Sequence, residues 1–403
     1  VQDRWKSQIC KTPVKCYGRG ADLSLEVDNR RSRRVNWLAE RTRLFDASGI
    51  RKVFELGASL PDPINLSIGQ PDFDVPEPVR QAAIEAIQSR KNTYALSQGL
   101  PELREKLQAQ IQAQYGHPDR EVFITCGTSG GLVLAMMAVV DPGDEVIVFD
   151  PYFVMYDVLP KLMGGRVVYI DTYPDFRVDL NRVADAITSR TKAIIWNSPA
   201  NPTGVTASEE EIRGLAELAA KHHVLLISDE IYRAFCYNRA FVSPAQFNPE
   251  TLVLDAFSKS HGMPGWRVGF AHGPRPLIQE MIKLQQYSFV CAPHPFQWAA
   301  VKALDTDASA LIAQYRRKRD RIVEGLKDFY EMVPPSGAFY AFPKVPWGTD
   351  LEFVERAIRD YQLLIIPGGV FSRRSTHFRL SFAAPDEVIE RGVEALRRLA
   401  RRG

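Results

Sequence analysis

A chain of 403 residues that is 45% hydrophobic and 25% charged has the composition of folded soluble protein and not of disordered, collagen-like or membrane-embedded sequence. Its length predicts about two to three domain-sized units. The 51 Lys and Arg against 48 Asp and Glu leave only +3, too little to draw nucleic acid or an anionic membrane.

The first segment, residues 1–34, is basic (Arg4, Lys6, Lys11, Lys15, Arg19, Arg30, Arg31, Arg33, Arg34) but carries Asp3, Asp22, Glu26 and Asp28 and has no apolar run. It reads as a solvated extension, neither a secretory signal nor a helix-turn-helix module. No apolar run approaches the ~18 residues of a membrane helix; the longest, near position 140, is broken by Asp141-Pro-Gly-Asp144. Five cysteines (Cys10, Cys16, Cys126, Cys236, Cys291) form no CxxC pair. That odd count argues against a disulfide framework or a zinc site, so no metal is expected, and it fits a reducing, cytoplasmic compartment.

From about residue 75 to 300, short apolar runs alternate with amphipathic stretches. Val122-Phe-Ile-Thr125 is strand-like, and Glu145-Val-Ile-Val-Phe149, Ala193-Ile-Ile-Trp196, Val224-Leu-Leu-Ile227 and Leu252-Val-Leu254 read as strands buried on both faces. After the first of them, an apolar helix is predicted from near Leu132. A crossover helix is opened by Ser208 and Glu211 as a capping box, carries Ile212, Leu215, Leu218 and Ala219 at helical spacing, and ends at Lys221-His222-His223. This alternation predicts an α/β domain, a mainly parallel sheet flanked by helices. After residue 305 the pattern changes to longer helices and isolated strands. One helix opens at Thr349 and Glu352, with Leu351, Val354 and Ile358 on one face. The expected organisation is an extension (1–34), an N-terminal part of a small domain with the mouth of the site (35–74), a large domain (75–304) and a small α+β C-terminal domain (305–403).

In an open parallel sheet, ligands bind beyond the carboxyl ends of the strands, and polar residues gather there. Trp196 is followed by Asn197-Ser-Pro-Ala-Asn201-Pro-Thr-Gly204, Ile227 by Ser228-Asp229-Glu230-Ile231-Tyr232, and Leu254 by Asp255-Ala-Phe-Ser258-Lys259 and then Gly265-Trp-Arg267-Val-Gly269. Cys126-Gly127-Thr128-Ser129-Gly130-Gly131 lies between a strand and a helix, where backbone N–H groups and the helix dipole favour an anion. Asn65-Leu-Ser-Ile-Gly69-Gln-Pro-Asp-Phe73, Tyr94 within Asn92 to Arg104, and Pro151-Tyr-Phe153 behind Asp141-Pro-Gly-Asp-Glu-Val146 complete the series. In this order and spacing the segments resemble fold type I pyridoxal-phosphate enzymes, and the chain resembles class I/II aminotransferases from about residue 60 to 400.

The resemblance implies the cofactor pyridoxal 5′-phosphate, held as a Schiff base by Lys259, whose freed amine then moves a proton at the substrate Cα. It implies that Asp229 pairs with the pyridine nitrogen and that Tyr232 and Asn201 bond the ring's phenolic oxygen. Phe153 would stack on the ring. Thr128, Ser129 and Gly130 would form the phosphate cup, with a charge-assisted bond from Arg267 and Tyr94 reaching in from the other subunit of a homodimer. Relatives often carry Ser or Gly where this chain has Ala256, so one hydroxyl ligand is absent; Ser258 is the neighbouring candidate. Arg379, in His377-Phe-Arg-Leu-Ser381, would grip the substrate α-carboxylate, helped by Asn201 and the Gly69 backbone. The substrate side chain is expected near Ile68 to Gln70, Gln286 to His294, and Phe45 to Ser48, all mostly neutral.

The expected activity moves an α-amino group from an L-amino acid to a 2-oxo acid, 2-oxoglutarate serving most of the family, in a ping-pong cycle. The alternative is a β-lyase of the C–S lyase type, which shares Lys259 and Asp229. A metabolite-sensing regulator on the same fold needs a DNA-binding module, and residues 1–34 are too short for one.

Overall fold

In the computed structural model, residues 37–57 and 60–401 are described, and the basic segment 1–34 lies outside them. A two-residue strand, β1 (Ile64–Asn65), precedes the main sheet. That sheet comprises β2 (Arg120–Thr125), β3 (Glu145–Asp150), β4 (Arg166–Asp171), β5 (Thr191–Asn197), β6 (Leu225–Asp229), β7 (Leu252–Ala256) and β8 (Gly269–Pro274), in the order β2-β8-β7-β6-β5-β3-β4. All neighbours are parallel except at β8, which runs against both β2 and β7.

The apolar runs become strands because both faces of the sheet are covered. Side chains alternate across a strand, and here they divide between separate cores. Val146, Val148, Ala193, Ile195, Ile227, Leu252 and Leu254 enter one core, with Leu132, Leu134 and Met136 of helix Gly127–Val139 and Ile278 and Met281 of helix Arg275–Gln286. Ile147, Phe149, Ile194, Trp196 and Leu226 face the other way, onto Ile212, Leu215 and Ala219 of helix Glu209–Lys221. A third cluster seats Val122, Ile124, Val253 and Phe270 against Leu103, Leu107 and Ile111 of helix Pro101–Tyr115. The mainly parallel α/β architecture is as expected.

The capping signals hold in detail. Ser208 Oγ accepts from Glu211 N at 3.2 Å while Ser208 N donates to Glu211 Oε2 at 2.7 Å, and Thr349 and Glu352 make the same reciprocal pair at the start of helix Asp350–Tyr361. On that helix the apolar face needs correcting: Leu351 is 48% exposed, whereas Phe353, Val354, Ala357 and Ile358 are buried. The wider aromatic ring takes the core position. Phe353 packs on Tyr330, Trp347 and Phe378, a burial that stabilises by about 1.5–3 kcal/mol.

The remaining strands are β9 (Tyr340–Ala341), β10 (Leu363–Leu364), β11 (Ile366–Pro367) and β12 (Phe378–Ser381). β12 lies between β11 and β9, antiparallel to both. Early chain is stitched to late chain: β1 pairs with β10 in parallel, and Leu66 O accepts from Ser381 N at 2.7 Å. This seam brings the segment 66–70 beside β12.

Candidate active site

Because β8 alone is reversed, its amino end and the carboxyl ends of β2, β5, β6 and β7 share one edge of the sheet. A cleft of about 470 Å³ opens there, lined among others by Thr128, Ser129, Phe153, Asn201, Asp229, Tyr232, Ser258, Lys259, Arg267 and Arg379, a size suited to a small ligand.

Lys259 sits in a single helical turn, Phe257–Ser260, immediately after β7. Its Nζ donates to Gly69 O at 2.5 Å and lies 6.0 Å from the centre of the Phe339 ring. Burial, then the nearby Arg379 and Arg267, lower its pKa to about 8, Asp229 pulling the other way. Near neutral pH far more of this amine is therefore uncharged and nucleophilic than of an ordinary lysine.

Asp229 ends β6. Burial raises its carboxyl pKa to about 6, opposed by the Tyr156 hydroxyl, the Ile231 N–H and Lys259. Tyr156 Oη donates to Oδ2 at 2.8 Å and Ile231 N to Oδ1 at 3.2 Å. Asn197, which ends β5, donates Nδ2 to Asp229 O at 2.9 Å and accepts Asn201 N on Oδ1 at 2.8 Å. One amide thus joins the acidic and the Asn201 segments.

The phosphate-cup segment is not a loop preceding a helix at Leu132. The helix starts at Gly127, so Thr128 and Ser129 occupy its first turn. Glycine-rich sequence has poor helix propensity, but tertiary packing decides here: a Cβ on Gly131 would lie 3.0 Å from Leu254 Cδ2, and one on Gly127, at φ +68°, would lie 2.5 Å from Arg267 Nη2. Gly130 does not line the cleft; it is buried against Cys126. Arg267 is itself in the left-handed region at φ +55° and is anchored by Nη1 to Pro264 O and Nη2 to Cys126 O, each at 3.1 Å. A strained arginine backbone at a cleft marks a constrained position.

Arg379, on β12, is 1% exposed. Its guanidinium lies between two aromatic faces, 4.6 Å from the Tyr340 centroid and 4.5 Å from that of Phe371. Nη1 donates to Asn201 Oδ1 at 3.0 Å and Nη2 to Ser67 O at 2.9 Å, while Nε is buried without a partner. A buried cation whose partners are neutral oxygens is costly unless an anion completes it. Tyr232 Oη meets Tyr340 Oη at 2.9 Å.

The residues fit pyridoxal phosphate. Thr128 Oγ1 is a buried hydroxyl without a partner, at a helix amino end facing Arg267, which suits a phosphate. Asp229 suits a protonated ring nitrogen and Lys259 an aldehyde. Ser258 is buried at the lining, and Ala256, which ends β7, packs beneath Gly269. No group of His, Cys, Asp and Glu among the described residues could hold a metal ion.

Tyr94 stands apart, 83% exposed and outside the cleft of its own chain. The expected side-chain pocket is only partly assembled: Ser48, Ile50, Ile68 and Gln70 line the cleft, but residues 286–294 do not. Tyr156 and Tyr340 both line the site and were missed in the sequence. Tyr156 had a signal, one helical turn beyond Phe153; Tyr340 had none beyond an aromatic run.

The mainly parallel sheet flanked by helices is that of fold type I pyridoxal-phosphate enzymes. The chain belongs to the family Aminotransferase class I and II, whose family model matches residues 61–396, and it is a pyridoxal-phosphate-dependent transaminase. It is 36% identical over 375 residues to a probable aspartate aminotransferase of Methanocaldococcus jannaschii, covering 90% of this chain and 99% of the relative. To the aspartate/prephenate aminotransferase of Thermus thermophilus it is 37% identical, covering 86% and 94%. Among solved structures, Thermus thermophilus aspartate aminotransferase with maleate superposes with a TM-score of 0.86 at 36% identity, covering 90% of this chain and 99% of that one. The aromatic aminotransferase of Pyrococcus horikoshii gives 0.81 at 31% identity, covering 88% and 99%.

Proposed function

We propose that the enzyme passes an α-amino group between an amino acid of the aspartate or aromatic class, as named for its relatives, and the glutamate/2-oxoglutarate couple. The observation that carries the reading is the convergence of the Lys259 amine, the Asp229 carboxylate and the Arg379 guanidinium on one cleft.

Bound pyridoxal phosphate supplies an aldehyde and an electron-withdrawing ring that makes the substrate Cα–H acidic. Lys259, partly neutral near pH 7, is the base placed to take up the substrate Cα proton and hand it on as an acid. Asp229 holds a proton on the ring nitrogen; a cation there lowers the carboxyl below the raised value that burial alone imposes. Tyr232 and Asn201 hold the ring oxygen, and Phe153 covers the ring face. Thr128, Ser129, the amino end of helix Gly127–Val139 and Arg267 hold the phosphate, with Gly130 giving the helix close approach and Ser258 adding a hydroxyl. Arg379 orients the substrate α-carboxylate, itself aimed by Asn201 Oδ1 and Ser67 O; the Gly69 carbonyl steers Lys259.

The proposed assembly is a homodimer. Tyr94, Leu96, Tyr287, Phe289 and Val290 form exposed apolar surface, Tyr94 and Tyr287 being 83% and 88% exposed, and a second copy would cover them while lending Tyr94 to the neighbouring phosphate. No helix among the described residues is long and apolar enough to cross a membrane; a cytoplasmic setting is supported by the free Cys126, Cys236 and Cys291.

The test is a half-reaction screen of single amino acids against purified holoenzyme, following conversion of the cofactor to its amine form. Borohydride trapping with peptide mapping should place the cofactor on Lys259. Labelling of any other lysine would remove the site, and release of pyruvate and ammonia without conversion would reject transamination.

A further inference from the structure

Three side chains outside the cleft lining converge behind the carboxylate corner. Asp72 lies just past Gly69, and Tyr315 and Lys318 lie about one turn apart on helix Ser309–Leu326. Tyr315 Oη donates to Asp72 Oδ1 at 2.5 Å, and Asp72 N donates to Tyr315 Oη at 3.0 Å. Lys318 Nζ donates to Asp72 Oδ2 and, at 2.8 Å, to Ala384 O. Lys318 is only 7% exposed.

A buried ammonium seldom improves stability over an apolar residue of the same size, so its two partners are informative. Asp72 continues the segment whose Ser67 and Gly69 carbonyls accept from Arg379 and Lys259. Ala384 continues the chain just beyond β12, which carries Arg379. The ammonium therefore joins, from behind, both arms of the corner where a substrate carboxylate would sit. The arms meet again through Ser67 O and through the seam between Leu66 and Ser381.

We propose that Lys318 is a positioning residue that, through Asp72 and Ala384, fixes the spacing between segment 67–70 and Arg379 and so sets affinity for the substrate carboxylate. This rests on the reading of Arg379 as the carboxylate anchor. Lys318 touches neither substrate nor cofactor, so its removal acts on binding and not on the proton transfer. A lost spacer widens the corner; it leaves the amine, Asp229 and the phosphate cup in place.

The test uses holoenzyme and L-glutamate as probe, reading the saturation constant and the limiting rate of the half-reaction, with cofactor content measured alongside. Lys318→Met and the isosteric Asp72→Asn should each raise the saturation constant about tenfold, the scale of a lost charge-assisted bond, with limiting rate and cofactor content near wild type. Lys318→Arg should restore much of the affinity, and the Met and Asn changes combined should cost little more than either alone. If Lys318→Met fails to fold, Asp72→Asn and Lys318→Arg decide. The proposal falls if the saturation constant stays within about twofold of wild type, or if limiting rate and cofactor content fall together with it. Arg379→Lys separates the two levels: normal glutamate affinity there removes the anchor and the proposal with it. Lost affinity in Arg379→Lys beside normal affinity in Lys318→Met removes only the clamp. If glutamate fails to convert the wild-type protein, the glutamate couple is rejected and the same variants are read, against the same limits, with L-aspartate or L-phenylalanine as probe.

Discussion

Tyr156 donates its hydroxyl proton to Asp229 Oδ2 at 2.8 Å, and both side chains are buried at the floor of the cleft. Burial keeps the tyrosine hydroxyl far above its ordinary pKa, so it remains a donor across the working range. The bond is one of the forces that hold the Asp229 proton affinity down against desolvation. Removing it in Tyr156→Phe should raise the proton affinity of the carboxyl and move the acid limb of kcat/KM to higher pH. A loss of roughly 10- to 100-fold in kcat accompanies it, the scale of a bond to a charged group. A pH–rate profile checks both; an unmoved acid limb would remove the proposed coupling.

Lys259, with a pKa near 8, should behave as an unusually reactive amine in protein freed of cofactor. Its acetylation by acetic anhydride, followed by mass spectrometry, should rise with pH and be half-maximal near 8, since only the neutral amine reacts. Arg379→Met removes a neighbouring positive charge and should shift that midpoint up. Asp229→Asn removes a stabilising negative charge and should shift it down. Opposite shifts would contradict the electrostatics of the cleft.

Gly127 joins β2 to the first turn of the cup at φ +68°, with Arg267 Nη2 2.5 Å from where a Cβ would lie. Gly127→Ala combines left-handed strain of about 1 kcal/mol or more with displacement of the guanidinium. Cofactor release should quicken by at least about tenfold, the rate equivalent of 1.4 kcal/mol, with thermal unfolding of the cofactor-free protein changed far less. Equal release rates would show that Arg267 is not placed by this contact.

The two faces of helix Asp350–Tyr361 give a stability test free of catalysis. Leu351, 48% exposed, should tolerate Leu351→Gln within about 0.5 kcal/mol. Phe353→Ala empties a fully buried site and should destabilise by about 3–5 kcal/mol. Denaturant unfolding of the two variants ranks them directly.

That contrast also marks where sequence reading stops. The start of the helix was legible because Thr349 and Glu352 satisfy each other locally, and the strands were legible because a twice-covered sheet demands continuous apolar runs. Which apolar residue of the helix faces inward depends on Tyr330 and Phe378, contributed by other elements. The glycines of the helix that starts at Gly127 are likewise matched to residues far along the chain, Gly127 to Arg267 and Gly131 to Leu254. Residues such as Lys259 and Asp229 stood out at strand ends, where open sheets expose their chemistry. Tyr156 and Tyr340 did not, because their partners are 73 and 108 positions away and each alone is an ordinary core tyrosine.

The reversed strand β8 has one more effect. Lys259 follows β7 and Arg267 precedes β8, so the short connection between these antiparallel neighbours carries both the amine and the cation proposed for the phosphate. On these proposed roles the connection would act as a ruler for the length of the cofactor, holding it by the Lys259 amine at one end and by the Arg267 charge at the other. Ser48, Ile50, Ile68 and Gln70 also line the cleft but lie outside that connection. Changes in substrate can therefore accumulate there over evolution while the connection keeps its length, and an insertion between residues 260 and 266 should be tolerated far less than one beside Ser48.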